Sequence, residues 1–154
     1  MEKVRRVVKI ANPKETANFS RLNENAAPEN IVFSPVANKI YSSDAEHKTI
    51  YIVDLANNSA TAKNNLGEEI KALKKPMAGK DENLYYLNGN KIVQFNSKTE
   101  EVKILAINSA GHLNDISAAA DYNNRLYLLN SKDGQIYRYN KRPDGFADEA
   151  PSLK

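Results

Sequence analysis

Short apolar runs alternate with polar turns along this chain, and one hairpin pattern occurs three times at a spacing near 42 residues. The first strand of each hairpin carries an aliphatic residue followed by tyrosine, at Ile40-Tyr41, Leu84-Tyr85 and Leu126-Tyr127. The second strand carries an isoleucine at the equivalent place, at Ile50, Ile92 and Ile136. A period of this length predicts a solenoid, a propeller or an array of repeats.

Each hairpin has a short segment of small or apolar residues before it, at 31–35, 76–79 and 116–120. Inner strands of a propeller converge on a narrow channel, so the alanine run at 118–120 fits an inner strand. Asn88-Gly89-Asn90 is a strong hairpin turn signal, because asparagine and glycine tolerate positive φ. A fourth, outer strand is predicted at 101–105, so each repeat has four strands.

The pattern predicts an all-β chain, a single β-propeller unit over residues 1–154. Its three four-stranded antiparallel blades are predicted at 29–66, 67–108 and 109–150. Residues 3–9 match an outer strand without inner partners, and are predicted to be an orphan strand that closes the ring. The central residues of this ring-closure strand are Val4, Arg5, Arg6, Val7 and Val8. The orphan strand would fill the place of 145–150, a short acidic segment that predicts a poor outer strand.

Three blades are fewer than the roughly four to eight of known propellers. The chain is therefore predicted to be either a fragment or engineered piece of a longer propeller, or a homo-oligomer that completes its ring by head-to-tail assembly. Exposed apolar faces of the first and last sheets would be the association surfaces. Two copies make a six-bladed ring and three copies make nine blades, so a dimer is favoured and a trimer is the alternative.

The amino-acid composition argues against two classes of partner, membranes and nucleic acids. With 41% apolar and 27% charged residues and no long apolar run, the chain reads as a soluble globular protein with no membrane partner. The net charge of +3 comes from scattered basic residues, which argues against nucleic-acid binding, since that needs a concentrated basic patch. The absence of cysteine excludes disulfides and thiolate metal sites, and leaves the localisation open.

Leu126-Tyr127-Leu128-Leu129-Asn130, followed by Ile136-Tyr137-Arg138-Tyr139-Asn140, resembles the bacterial propeller repeats that include the NHL, YVTN and quinoprotein-like blades. The resemblance covers nearly all of 29–147 and implies architecture. It is compatible with a non-catalytic binding or scaffold module, with a protein or small-molecule ligand at its loops. The chain has no tryptophan, so the tryptophan-docking motifs of quinone enzymes are absent and no cofactor is predicted.

Residues that lead into inner strands line one mouth of a propeller channel. In this sequence they are Glu29, Asn30, Lys74, His112, Asn114 and Asp115. One interpretation makes them caps and loop polars of a non-catalytic module. The alternative is a metal-dependent hydrolase or lactonase, in which carboxylate and amide oxygens hold calcium at the mouth, as calcium prefers oxygen ligands. Lys74 argues against the metal, because a cation there would repel it.

The remaining candidates have structural interpretations. His47 lies in a hairpin loop and is expected to be solvated. Residues 12–28 predict a long surface loop, and 68–75 a charged connecting segment rather than a helix. The tyrosines that recur within strands are expected to pack between blades instead of forming a ligand platform; they are Tyr41, Tyr51, Tyr85, Tyr127 and Tyr137.

Overall fold

The computed structural model describes residues 14–108 and 111–151 of the chain. The predicted orphan strand at 3–9, with Val4, Arg5, Arg6, Val7 and Val8, lies outside the described residues. No helix within the described ranges is long and apolar enough to cross a membrane. Their regular structure is β apart from two short 3-10 helices, Phe19–Arg21 and His112–Asp115.

The strands form three successive antiparallel meanders, which we call blades 1 to 3. Blade 1 contains β1 (Val32–Ser34), β2 (Lys39–Asp44), β3 (Thr49–Asp54) and β4 (Ser59–Lys63). Blade 2 contains β5 (Lys74–Ala78), β6 (Asn83–Asn88), β7 (Lys91–Asn96) and β8 (Val102–Ile107). Blade 3 contains β9 (Ile116–Tyr122), β10 (Arg125–Asn130), β11 (Gln135–Arg142) and β12 (Gly145–Pro151). The all-β, propeller-like class is confirmed, whereas the domain limits, the number of blades in a complete ring and the dimer stay predictions.

Blades 2 and 3 are joined into one eight-stranded sheet by their outer strands. β8 and β12 run parallel there, and pair Ala106 with Gly145 and Ile107 with Phe146. The inner strands β5 and β9 also contact each other, so the sheet is nearly closed on itself. The segment predicted to be a poor outer strand is therefore a full strand of the sheet, which pairs with β11 on one side and β8 on the other.

The blades pack against each other through two apolar cores, one between blades 1 and 2 and one between blades 2 and 3. β6 contributes to both, because successive side chains of a strand point to opposite faces. Leu84 and Tyr86 pack in the core between blades 1 and 2, and Tyr85 and Leu87 pack in the core between blades 2 and 3. Strand residues buried on both faces explain why the hairpin repeats are apolar throughout rather than alternating.

The outer face of blade 1 is partly covered by the segment that precedes β1. Tyr51 and Val53 project away from blade 2, yet only 0% and 3% of their surfaces are exposed. The ring of Phe19 stacks on Tyr51 with a centroid separation of 4.6 Å. The predicted surface loop therefore protects part of a face that we expected to be open.

Asp44, Asn88 and Asn130 end the second strands of the three blades, and all three are buried. Each side chain bonds the loop that leads into the inner strand of its own blade. The amide of Ala27 donates to Asp44 Oδ2 at 2.8 Å, and Asn130 Nδ2 donates to the carbonyl of His112 at 2.9 Å. These ties hold the residues before each inner strand in place.

Candidate functional site

A cavity of about 520 Å³ lies between blades 2 and 3, at the end where their inner strands begin. The start of β5, the β6–β7 hairpin and the loop before β9 line it. Its charged and amide side chains are Lys71, Lys74, Lys75 and Asn114, and its apolar ones include Leu87, Leu113 and Ile116. The polar side chains are therefore three cations and one amide, and no acidic side chain lines the cavity.

Two of the six predicted mouth residues, Lys74 and Asn114, share this cavity. Asn30 is not part of the lining, and its side chain is engaged in a contact between blades. Its Nδ2 donates to Ser43 Oγ at 2.6 Å and to the carbonyl of Leu73 at 2.9 Å. This amide therefore fixes the segment that leads into β5.

The other three mouth residues do not line the cavity. Glu29 is exposed, and its backbone amide donates to the carbonyl of Ser43 at 2.9 Å. Asp115 is exposed as well, and its carbonyl accepts from the backbone amide of Ser131 at 3.0 Å. His112 stacks on Tyr137 with ring centroids 4.0 Å apart, so its ring lies against blade 3.

The two asparagines that would help to hold calcium have different surroundings. The Oδ1 of Asn30 accepts from the backbone amide of Ser43 at 3.3 Å, whereas Asn114 lines the same cavity as the three lysines. Among the described residues no three His, Cys, Asp or Glu side chains lie close enough together to hold a metal ion.

The segment before β5 is held rigidly although it is neither helix nor strand. Ile70 and Leu73 are 1% and 0% exposed and anchor it in the core between blades 1 and 2. Asn88 Oδ1 accepts from the backbone amides of Lys71 and Ala72 at 2.9 and 3.0 Å. Lys71 lies between the two anchored apolar residues and Lys74 and Lys75 follow them, and all three lysines line the cavity. Sequence reading missed this arrangement, although the spacing of Ile70 and Leu73 among lysines was its signal.

Lys75 has an unusual backbone conformation in the wall of the cavity. Its φ of 50° lies in the left-handed region, which costs a non-glycine residue of order 1 to 3 kcal/mol. The β5–β6 register shifts between Lys74 and Met77, which marks a bulge at this place. Seven other non-glycine residues of the described part also have a positive φ, so the conformation alone does not mark a functional site.

A second polar cluster, which sequence reading also missed, joins blades 2 and 3 at the opposite end of the strands. Lys141 Nζ lies 2.8 Å from Asp81 Oδ2 and donates a hydrogen bond to the hydroxyl of Tyr85. Burial alone would raise the pKa of Asp81, but hydrogen bonds from Lys141 and Asn83 hold that pKa below its ordinary value. Burial raises the pKa of Tyr85 to about 12. The cluster is an ion pair that links the blades.

Asp121 belongs to the same region and has the opposite electrostatics. Burial, aided by the neighbouring charge of Asp81, raises the pKa of Asp121 although Lys141 opposes the shift. A cavity of about 250 Å³ is lined by both aspartates. The close approach of Gly79, where a Cβ would lie 2.3 Å from Asp121 Oδ2, shows how tightly the carboxylate is packed.

His47 is not simply solvated, as its position in a hairpin had suggested. Its Nδ1 lies 2.9 Å from Oδ2 of Asp44, whose side chain is fully buried. Burial works to raise the pKa of Asp44, but the backbone amides of His47 and Ala27 donate to the carboxylate and leave the pKa below its usual range. The pair is part of the tie of blade 1.

No protein-family model matches the chain, and no curated protein matches it either. Among solved structures, the N-terminal domain of Nup159 is similar with a TM-score of 0.44, 19% identity and 79% of this chain covered. The hemopexin-fold protein CP4 from cow pea is similar with a TM-score of 0.42, 16% identity and 76% of this chain covered. A 2S albumin seed protein from Dolichos has a TM-score of 0.42, 13% identity and 77% of this chain covered. The chain spans 30%, 64% and 62% of these three proteins.

Proposed function

We propose that this chain is a non-catalytic binding and scaffold module that associates head to tail with a second copy to form a closed ring. The distribution of exposed apolar side chains carries this proposal. The large apolar residues that are exposed within the described ranges lie either in blade 1 and the segment before it or in blade 3. They are Leu22, Ile31, Phe33, Val36 and Tyr122.

The pleat of the inner strands places these side chains on the free faces. Val32 packs against the core between blades 1 and 2, so its neighbour Phe33 projects from the opposite face, and it is 49% exposed. Ala119 packs against the core between blades 2 and 3, so Ala120 projects from the free face of blade 3. Tyr122 is two residues after Ala120 in the same strand, so it lies on the same face, and it is 59% exposed. Apolar groups at both ends of one molecule are the complementary surfaces of a head-to-tail contact.

The segment that covers Tyr51 leaves the inner part of blade 1 open. Phe19 stacks on the third strand of that blade, whereas Ile31 and Phe33 at its inner edge are 72% and 49% exposed. Neighbouring blades of a ring approach each other most closely at their inner strands. The proposed contact is therefore concentrated at β1 of one copy and β9 of the other.

Light scattering after size exclusion, over a wide concentration range, tests the assembly. We expect a mass of twice 17.2 kDa for the dimer. Phe33→Asp and Ala120→Asp, which each place a charge in the contact, should both give the monomer mass. Ala56→Asp, which adds the same charge in an exposed turn of blade 1, is the matched control and should remain dimeric.

Mixing the two contact variants distinguishes head-to-tail from face-to-face assembly. A mixed pair contains one contact in which both substitutions meet and one contact that is unaltered. Equimolar Phe33→Asp and Ala120→Asp should therefore recover the dimer mass through the unaltered contact. A monomeric wild-type protein, or a mixture that stays monomeric, would contradict the head-to-tail proposal.

A further inference from the structure

Three lysines line the cavity between blades 2 and 3, and no carboxylate lines it. We propose that this cavity binds a small organic anion that carries two or more carboxylate or phosphate groups on an apolar body. The site lies within one chain and goes beyond the scaffold function, because it exists whether or not the ring forms.

The charge of the cavity is the first step of the argument. Lys71, Lys74 and Lys75 form no ion pair with any described residue, and no acidic side chain lines the cavity. Seven other lysines of the described part have carboxylate partners, whereas Lys14, Lys80 and Lys132 form no ion pair with a described residue; the seven are Lys39, Lys48, Lys63, Lys91, Lys98, Lys103 and Lys141. Like charges held together in a concave, partly apolar site raise the local potential, and an anion relieves their repulsion.

The nearest acidic residues along the chain are engaged elsewhere. Glu68 forms a hydrogen-bonded ion pair with Lys48, and Glu69 lies 3.2 Å from Lys91 Nζ. Both carboxylates immediately precede the lysine segment in sequence, and both form their ion pairs with lysines outside the cavity. The hydrogen bond and charge of Lys48 are the main cause of the lowered pKa of Glu68, to which the charge of Lys71 adds a smaller part. The cavity thus retains its positive charge because of the fold rather than because of composition.

The backbone that carries the lysines is fixed by hydrogen bonds with two buried or partly buried asparagines. Asn88 bonds the amides of Lys71 and Ala72, and Asn30 bonds the carbonyl of Leu73. Lys75 is held in the left-handed region next to the bulge of β5. Because this backbone is already ordered, less conformational entropy is lost when a ligand binds.

The rest of the lining determines what kind of anion fits. Leu87, Leu113 and Ile116 form an apolar wall, which favours a ligand with an apolar body over a bare inorganic ion. The amide of Asn114 adds a hydrogen-bond donor that is suited to a carboxylate or phosphate oxygen. A volume of about 520 Å³ is that of a small-molecule site.

Calorimetric titration of the full chain with trimesate, a benzene ring that carries three carboxylates, tests the proposal. We expect saturable binding of one trimesate per chain, weaker binding of inorganic phosphate, and no heat with benzyl alcohol. Absence of trimesate binding up to about 10 mM would overturn the site. Phosphate that binds as tightly as trimesate would overturn the role of the apolar wall.

Variants of equal charge separate a site from general electrostatic attraction. The triple variant Lys71→Gln, Lys74→Gln and Lys75→Gln should bind trimesate at least about tenfold more weakly, since hydrogen bonds to charged groups are the stronger class. The matched triple Lys98→Gln, Lys103→Gln and Lys132→Gln has the same net charge, and should stay within about twofold of wild type. An equal loss in both triples would overturn the proposal.

Two further variants keep the test independent of folding and of assembly. If the triple variant does not fold, Lys74→Gln alone provides the test, because Lys74 is exposed. This single variant should bind trimesate about threefold more weakly than wild type. An unchanged affinity in this variant would contradict the site. Phe33→Asp should bind trimesate as wild type does, so a failure of ring assembly and a failure of the anion site give different results.

Discussion

The ring of Phe19 stacks on the ring of Tyr51, with centroids 4.6 Å apart and planes 15° from parallel. Phe19 belongs to a segment without strands, whereas Tyr51 lies in the third strand of blade 1. The contact explains how a tyrosine on the outward face of an end blade is 0% exposed. A chain that covers part of its own end face limits where a second copy can attach.

Replacing Phe19 by alanine should therefore destabilise the protein. We expect Phe19→Ala to lower the free energy of unfolding by about 1 to 2 kcal/mol, less than a fully buried aromatic would cost, because Phe19 is half-buried. Urea denaturation followed by tyrosine fluorescence measures the change. Arg21→Ala is the control, since its ion pair with Glu15 is exposed and should contribute less than about 0.5 kcal/mol.

The buried amide of Asn88 gives a second prediction. Asn88→Ala leaves two backbone amides and the carbonyl of Glu69 without their partner, and should cost about 2 to 3 kcal/mol of unfolding free energy. Asn90→Ala, in the exposed turn of the same hairpin, should change stability by less than about 0.5 kcal/mol. Similar losses in the two variants would show that the tie contributes little.

The ion pair between blades gives a third prediction, about pH. A double-mutant cycle with Asp81→Asn and Lys141→Gln should show a coupling of about 1 kcal/mol at pH 7, modest because both groups are partly exposed. The folded pKa of Asp81 lies below its ordinary value of 3.8. Its stabilisation is therefore complete above that value and is lost as the pH falls through the folded pKa. A coupling that persists undiminished in strong acid would refute the ion-pair assignment.

Asp121 should respond in the opposite direction. Its pKa is raised above 3.8 in the folded protein, so its ionised form opposes folding at neutral pH. The penalty is present above the raised pKa and disappears as the pH falls below the unfolded value. Asp121→Asn should consequently raise the melting temperature at pH 7 and lose that advantage in acid. Equal melting temperatures at pH 7 would contradict this account.

The junction of β8 and β12 gives a fifth prediction. A Cβ at Gly145 would lie 2.1 Å from the carbonyl oxygen of Ala106, which is backbone and cannot rotate away. Gly145→Ala should separate the parallel pair and cost at least about 2 kcal/mol of unfolding free energy. Hydrogen exchange should show faster exchange of the Asn108 amide, which donates to the carbonyl of Phe146 at 2.9 Å. Unchanged exchange there would argue against the junction.

The hairpins were predictable because their signals are local. Asn88-Gly89-Asn90 predicts a tight turn, and β6 ends at Asn88 while β7 begins at Lys91. The alanine run at 118–120 was assigned to an inner strand instead of a helix, and it lies within β9. Turn chemistry and apolar runs act over a few residues, so one sequence suffices to read them.

Contacts between distant positions could not be read in the same way. Lys141 and Asp81 are 60 residues apart, and only the packing of blade 3 on blade 2 brings them together. The strand Gly145–Pro151 looked weak because its residues are acidic and small, yet two neighbouring strands supply its pairing. His47 was expected to be solvated because the sequence does not show that its partner, Asp44, is buried. The burial of Asp44 arises only when the sheet has formed.

The side chains that end the second strands bond loops of their own blades, and this has a consequence for how a repeat protein lengthens by duplication. Asp44 reaches back 17 positions to Ala27, and Asn130 reaches back 18 positions to His112. Both ends of each tie lie inside one period, so duplication of a single period copies the whole tie. A duplicated unit therefore has its loop already attached to its own hairpin, and this attachment does not depend on its neighbour. Units of this kind lengthen an array without having to form a new tie at each step, in keeping with the nearest-neighbour energetics of repeat proteins.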